Sequence, residues 1–156
     1  MIAKFPSKRA ATGIASAVLV GFGLTACSCR ATLHVRGSTR GSVTFVVESS
    51  RGMTDVVVEE RDFSGGWNRA WELHGTAGQR DTPGEREIVY GQAPATFTVK
   101  TAPTRLHPHG IYHVEIGTQQ PFLGAPCSGG VTFTFTPGGE VKECLDVEAC
   151  RKITGG

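Results

Sequence analysis

Val131, Phe133 and Phe135 alternate with Thr132, Thr134 and Thr136 near the end of this chain. A period of two belongs to an extended backbone, whose successive side chains leave opposite faces of a sheet. The segment therefore predicts a strand with β-branched and aromatic residues inside and threonines outside. The same alternation recurs along the sequence. Val43, Phe45 and Val47 share one face, with Thr44 and Val46 opposite, and Val56 and Val58 follow the same rule. Phe97 and Val99 alternate with Thr96, Thr98 and Lys100, and Tyr112, Val114 and Ile116 alternate with Ile111, His113 and Glu115. Leu33–Val35, Trp67–Leu73, Glu87–Tyr90 and Glu140–Leu145 bring the expectation to eight or nine short strands.

Turn residues separate these runs. Pro137-Gly138-Gly139 is a short connection that predicts a hairpin between Val131–Thr136 and Glu140–Leu145. Gly65-Gly66, Gly75, Thr82-Pro83-Gly84, Ala93-Pro94, Pro108 and Gly124-Ala125-Pro126 interrupt the rest. With 21 glycines and eight prolines there is little room for helix, and only Asp146–Arg151 suits a helical turn. Links of hairpin length cannot make parallel crossovers, so the strands should be antiparallel in the main. The expected fold is all-β: a single antiparallel β-sandwich, immunoglobulin-like or transthyretin-like, over residues 31–156.

The N-terminal stretch has a different character. Lys4, Lys8 and Arg9 precede an apolar run from Ala10 to Leu24, which is short for a bilayer span of about 20 residues. A basic head, a short apolar middle and a small-residue end describe an export signal. The run closes on Leu24-Thr25-Ala26-Cys27, which resembles the lipobox of bacterial lipoproteins. The resemblance implies a lipoprotein signal peptide over 1–26, diacylglycerol and an N-acyl chain (palmitate among the usual acyl groups) on Cys27, and a lipidated tether over 27–30. Two or three acyl chains hold a protein firmly on a membrane, at about 0.8 kcal/mol per buried methylene. Ser28 stands where lipoprotein sorting places Asp for inner-membrane retention. By that resemblance the expected location is the outer membrane, with the domain facing the periplasm. Ala31 follows Cys27 by four residues, so the domain should sit close to the bilayer.

Charge and cysteine content fit this setting. Removing Lys4, Lys8 and Arg9 from the 16 basic residues leaves 13 against 14 acidic ones, a balance of −1. No Lys/Arg cluster remains, which argues against nucleic acid as a partner. Besides Cys27 there are Cys29, Cys127, Cys144 and Cys150, an even number in an exported domain and so a disulfide framework with three complete pairings. Cys127 and Cys144 flank the predicted hairpin and are the favoured pair, with Cys144–Cys150 close behind.

Trp71, then Ile88-Val89-Tyr90-Gly91-Gln92-Ala93-Pro94, then Leu106 and Gly110-Ile111-Tyr112-His113-Val114 are similar to a pattern in uncharacterised small proteobacterial envelope proteins. That resemblance implies no activity. Physically, Gly91 and Pro94 stop a strand sharply.

Three sets of residues could carry chemistry. His107, His109 and His113 lie within seven residues, and imidazoles so spaced could approach a copper or zinc ion; a turn at Pro108 and Gly110 with ordinary exposed histidines is the competing reading. Trp67 and Trp71, four apart on a strand, would share a face and could line a binding surface, or else fill the core. His34 and His74 are isolated and expected at the surface. No Gly-x-Ser-x-Gly, His-Glu-x-x-His or phosphate-loop motif is present, so no catalytic residue and no cofactor beyond the covalent lipid is assigned. The expected role is a lipid-anchored envelope protein that binds or scaffolds an envelope protein. The alternatives are an accessory outer-membrane lipoprotein of a secretion or assembly system, similar in size and anchor to those of type VI secretion, and a periplasmic metal-handling or inhibitor protein.

Overall fold

A computed structural model describes residues 31–50, 52–76, 84–118 and 128–155. The expected signal peptide over 1–26, the expected tether with Cys27 and Cys29, and Cys127 lie outside the described residues. The described chain forms nine strands and one helix: β1 (Ala31–Gly37), β2 (Val43–Ser49), β3 (Met53–Arg61), β4 (Trp67–Gly75), β5 (Gly84–Val89), β6 (Phe97–Thr101), β7 (Tyr112–Thr118), β8 (Ser128–Phe135), β9 (Val141–Cys144) and α1 (Val147–Thr154).

Every pairing is antiparallel. One sheet has the order β1-β2-β5 and the other β6-β4-β3-β7-β8-β9. The first, second and fifth strands thus oppose the third, seventh and eighth. Of the two architectures expected, this is the immunoglobulin-type order. The alternating residues face each other across the gap. Phe45 of β2 lies 6.4 Å from Trp71 of β4 and 6.2 Å from Phe133 of β8, and Val56, Val58, Val114 and Ile116 are fully buried around them. The sandwich is closed along one side where the Ser38–Glu140 bridge and the Thr39 N–H to Gly139 O bond (2.8 Å) join the end of β1 to the β8–β9 turn.

The β8–β9 hairpin and the terminal helix occur where the turn residues put them. Asp146 caps α1 by accepting from Ala149 N–H at 2.8 Å, and Gly155 ends it in the left-handed region at φ 77°. Cys144 is bonded to Cys150, which ties β9 to α1. A sulfur forms one such bond, so the favoured Cys127–Cys144 pairing is corrected to Cys144–Cys150. The helix turns Cys150 inward, fully buried, and brings the two Cα atoms to 5.4 Å.

Three details depart from simple alternation. Thr134, expected outside, is fully buried, because the chain after β6 folds over it and its hydroxyl donates to Gly110 O at 2.7 Å. Val99, expected inside beside Phe97, is 49% exposed. It lies on β6, the outermost strand of a six-stranded sheet that overhangs a three-stranded one. The third departure is a bulge in β4. Val58 pairs with Trp71, but Glu59 pairs with Arg69, which leaves Ala70 as the extra residue.

Candidate functional site

That bulge separates the two tryptophans. An extra residue inverts the inward phase of a strand, so Trp71 is fully buried while Trp67 lies on the outer face. The expected shared face is therefore corrected. Trp71 is core, with Tyr90 at 5.1 Å. Trp67 is covered by the Arg61 guanidinium at 5.1 Å and by the edge of His113 at 5.9 Å.

The histidines separate as well. His113 sits half-buried on the outer face of β7, its Nδ1 3.2 Å from Thr132 Oγ1. His107 and His109 are exposed on the turn before β7. No group of three His, Cys, Asp or Glu side chains suited to a metal ion occurs among the described residues. The expected three-histidine constellation is not assembled, because strand pairing fixes His113 beside Glu59 of β3 instead. His34 and His74 are both exposed, as expected.

What the structure does assemble is a pole. Residues 38–43, 60–63, 104–110 and 135–139 line three adjoining clefts, which share His109 on one side and Thr39, Arg105 and Leu106 on the other. The largest, about 420 Å³, runs between the β3–β4 turn and the turn before β7, with Glu60, Phe63, Asn68, His107 and His109 on its walls. All three lie past Gly37 or at the matching ends of other strands. They therefore sit at the far end of β1 from Ala31, a rise of about 20 Å over seven residues.

Both walls of the largest cleft are fixed. Tyr112, fully buried at the start of β7, donates to Glu60 Oε1 at 2.8 Å and accepts from His107 N–H at 2.6 Å. A tyrosine at the start of this strand that bonds back to the preceding backbone is the tyrosine corner of immunoglobulin-type domains. Gly110 is needed beneath it, since a Cβ there would lie 2.3 Å from the Tyr112 hydroxyl oxygen. Burial pushes the Tyr112 hydroxyl well above the usual phenol range, and the Glu60 carboxylate beside it acts in the same direction, against the His107 amide. Tyr90 is pushed up by burial too; its hydroxyl meets the carbonyls of Ala70 at 3.1 Å and Thr104 at 2.9 Å.

On the opposite wall, Asp62 organises the β3–β4 turn. Its carboxylate accepts from the Ser64 hydroxyl and the Gly66 amide, both at 2.7 Å, and from Asn68 at 3.2 Å. The Ser64 bond first, and then the Gly66 amide, hold its carboxyl below the usual range. At the tip stands Phe63, fully exposed at 113% of the reference area.

No protein family, no curated protein and no solved structure matches this chain. The reading of the pole therefore rests on its own geometry. Sequence reasoning found His107 and His109 but missed Phe63 and Tyr112 as pole residues. Phe63 lay outside the alternating runs, directly before Ser64-Gly65-Gly66, and that was the available signal. For Tyr112 the signal was Leu106, Pro108 and Gly110 just ahead of it.

Proposed function

We propose that this chain is a lipid-anchored cell-envelope protein that acts by binding, and that it binds through the pole that carries Phe63. One observation carries the reading: a fully exposed phenylalanine on a turn whose shape is set by other residues. A loose loop could fold its aromatic back onto the body of the protein. Here the Asp62 bonds hold the turn open and keep Phe63 in water at the rim of the cleft. An apolar side chain of that size offers a partner roughly 1.5–3 kcal/mol on burial, and aromatic anchors seated in pockets dominate protein interfaces.

The position of the pole supports the anchored part of the proposal. With Cys27 lipidated and only three residues between it and Ala31, the membrane would adjoin the start of β1. The clefts would then face away from the bilayer, towards whatever the periplasm presents. The lipobox supplies the anchor, and Ser28 favours the outer membrane.

The test uses the tagged full chain in its native host. Phe63→Ser is expected to lower the yield of a co-purified envelope partner at least tenfold. Leu145→Ser, at a residue equally exposed but off the pole, should leave it unchanged. Equal yields from the two variants would refute binding through this pole. Cys27→Ser should move the protein out of the membrane fraction, and unchanged membrane association would remove the anchor.

A further inference from the structure

A second cleft on the same pole has a different chemistry. It encloses about 350 Å³ between three turns and presents Arg40, Arg105 and His109 together with the hydroxyl-bearing Thr39 and Thr136. No acidic residue lines it. Glu140, the nearest acid in sequence, is exposed and does not line the cleft; its backbone bridges to Ser38 and donates to Thr136 Oγ1 at 3.2 Å.

The two arginines are uncompensated. Among the other described arginines, Arg36 pairs with Glu87, Arg69 with Glu59 and Glu72, and Arg151 with Glu148, while Arg61 stacks on the Trp67 ring. Arg40 and Arg105 form no ion pair among the described residues, and both are exposed. Two guanidinium groups in one cleft repel each other unless an anion lies between them.

The walls are built rather than incidental. The turn with Arg40 is closed by Gly41 N–H to Ser38 Oγ at 3.1 Å. It is joined to the β8–β9 turn by Thr39 N–H to Gly139 O at 2.8 Å. The turn with His109 is closed by Gly110 N–H to His107 O at 3.0 Å and held by Tyr112. Gly139, at φ 86°, lets the β8–β9 turn approach closely, since a Cβ there would stand 2.5 Å from Thr39 Oγ1. Thr136 Oγ1 accepts from Glu140, so its own proton is available to a ligand.

We infer that this cleft binds a phosphoryl group borne on a larger molecule, with Arg40 and Arg105 as its two cationic clamps. A phosphomonoester carries close to two negative charges near neutral pH and several acceptor oxygens, enough for two guanidinium forks and the flanking hydroxyls. A carboxylate carries one charge and two oxygens and would leave one arginine unmatched. The cleft is larger than a bare phosphate, so part of the carrier enters with it. This inference rests on the reading of the pole as the binding end and gives part of its partner a chemistry. The carrier is a soluble phosphomonoester, since the pole would face away from the bilayer and a diester headgroup carries only one charge.

The full chain in detergent would be titrated by calorimetry with inorganic phosphate, with glucose 1-phosphate, and with mixed micelles containing a short-chain phosphatidylglycerol. Binding of glucose 1-phosphate is expected, weakened tenfold or more in Arg40→Ala/Arg105→Ala and unchanged in Arg151→Ala, which removes a cation elsewhere. A response to the sugar phosphate identifies a soluble monoester carrier, and a response to the lipid micelles alone, whose headgroup is a singly charged diester, would overturn the inference. Absence of heat with glucose 1-phosphate, or equal weakening by Arg151→Ala, would overturn the inference. If the Phe63-dependent partner still co-purifies in either case, the binding pole stands and only the phosphoryl site falls.

Discussion

The interior of the sandwich and its cleft-bearing pole use aromatic residues in opposite ways. Between the sheets, Phe45, Trp71, Tyr112, Phe133 and Phe135 are all buried, and each lies within about 6.4 Å of another ring. At the pole, Phe63 touches water over its whole surface, held there by a turn that hydrogen bonds shape without it. The first arrangement makes stability, and removing any member leaves a cavity. The second forgoes burial, so its removal should cost the fold almost nothing. Stability and recognition are thus divided between two regions of one small domain, and Tyr112 spans them, with its ring in the core and its hydroxyl in the pole.

Mutations can break or sharpen that division. The largest loss is expected for Trp71→Ala, about 3–5 kcal/mol by chemical denaturation, from lost apolar contact and the cavity left behind. Replacing both Cys144 and Cys150 with Ser should cost about 2–3 kcal/mol, because the bridge closes a short loop in the unfolded chain. Hydrogen exchange should then accelerate in α1 before it does in the sheets.

Tyr112→Phe should cost about 1–2 kcal/mol, since the Glu60 carboxylate loses its donor and the His107 amide its acceptor while the ring stays packed. The same hydroxyl sets an alkaline limit. Its folded pKa lies above the unfolded value near 10.0, so the folded state keeps a proton that the unfolded chain releases. Its contribution is fully present below pH 10 and is lost as pH rises beyond it. Denaturation midpoints measured across this range should fall with pH, and less steeply in Tyr112→Phe, where Tyr90 alone retains an upward shift. The smallest change belongs to Phe63→Ser, within about 0.5 kcal/mol of the parent. A larger loss would mean that Phe63 serves the fold and would erase the contrast.

The core was legible because it is written in local alternation. A period of two needs no knowledge of partners to announce a buried face, and Val43, Phe45, Val47, Tyr112, Val114 and Ile116 went where it pointed. It failed where a long-range event changed the phase or the cover. The bulge at Ala70 sent Trp67 outward, the segment before β7 buried Thr134, and the overhang of β6 uncovered Val99. The pole was scarcely legible, because Arg40, Phe63, Arg105 and Gly139 are far apart in sequence and meet only once the Greek-key wiring brings their turns to one end. Clustering in sequence suggested three histidines instead, and strand pairing drew one of them away.

The division is tested most directly by site-specific photocrosslinking in the native host. A photoreactive amino acid would replace Phe63 at the pole or, separately, Leu145 beside α1 in the full chain. The account predicts a discrete high-mass adduct from position 63 in the membrane fraction and none from position 145. Adducts of equal yield from both positions, or from position 145 alone, would contradict it.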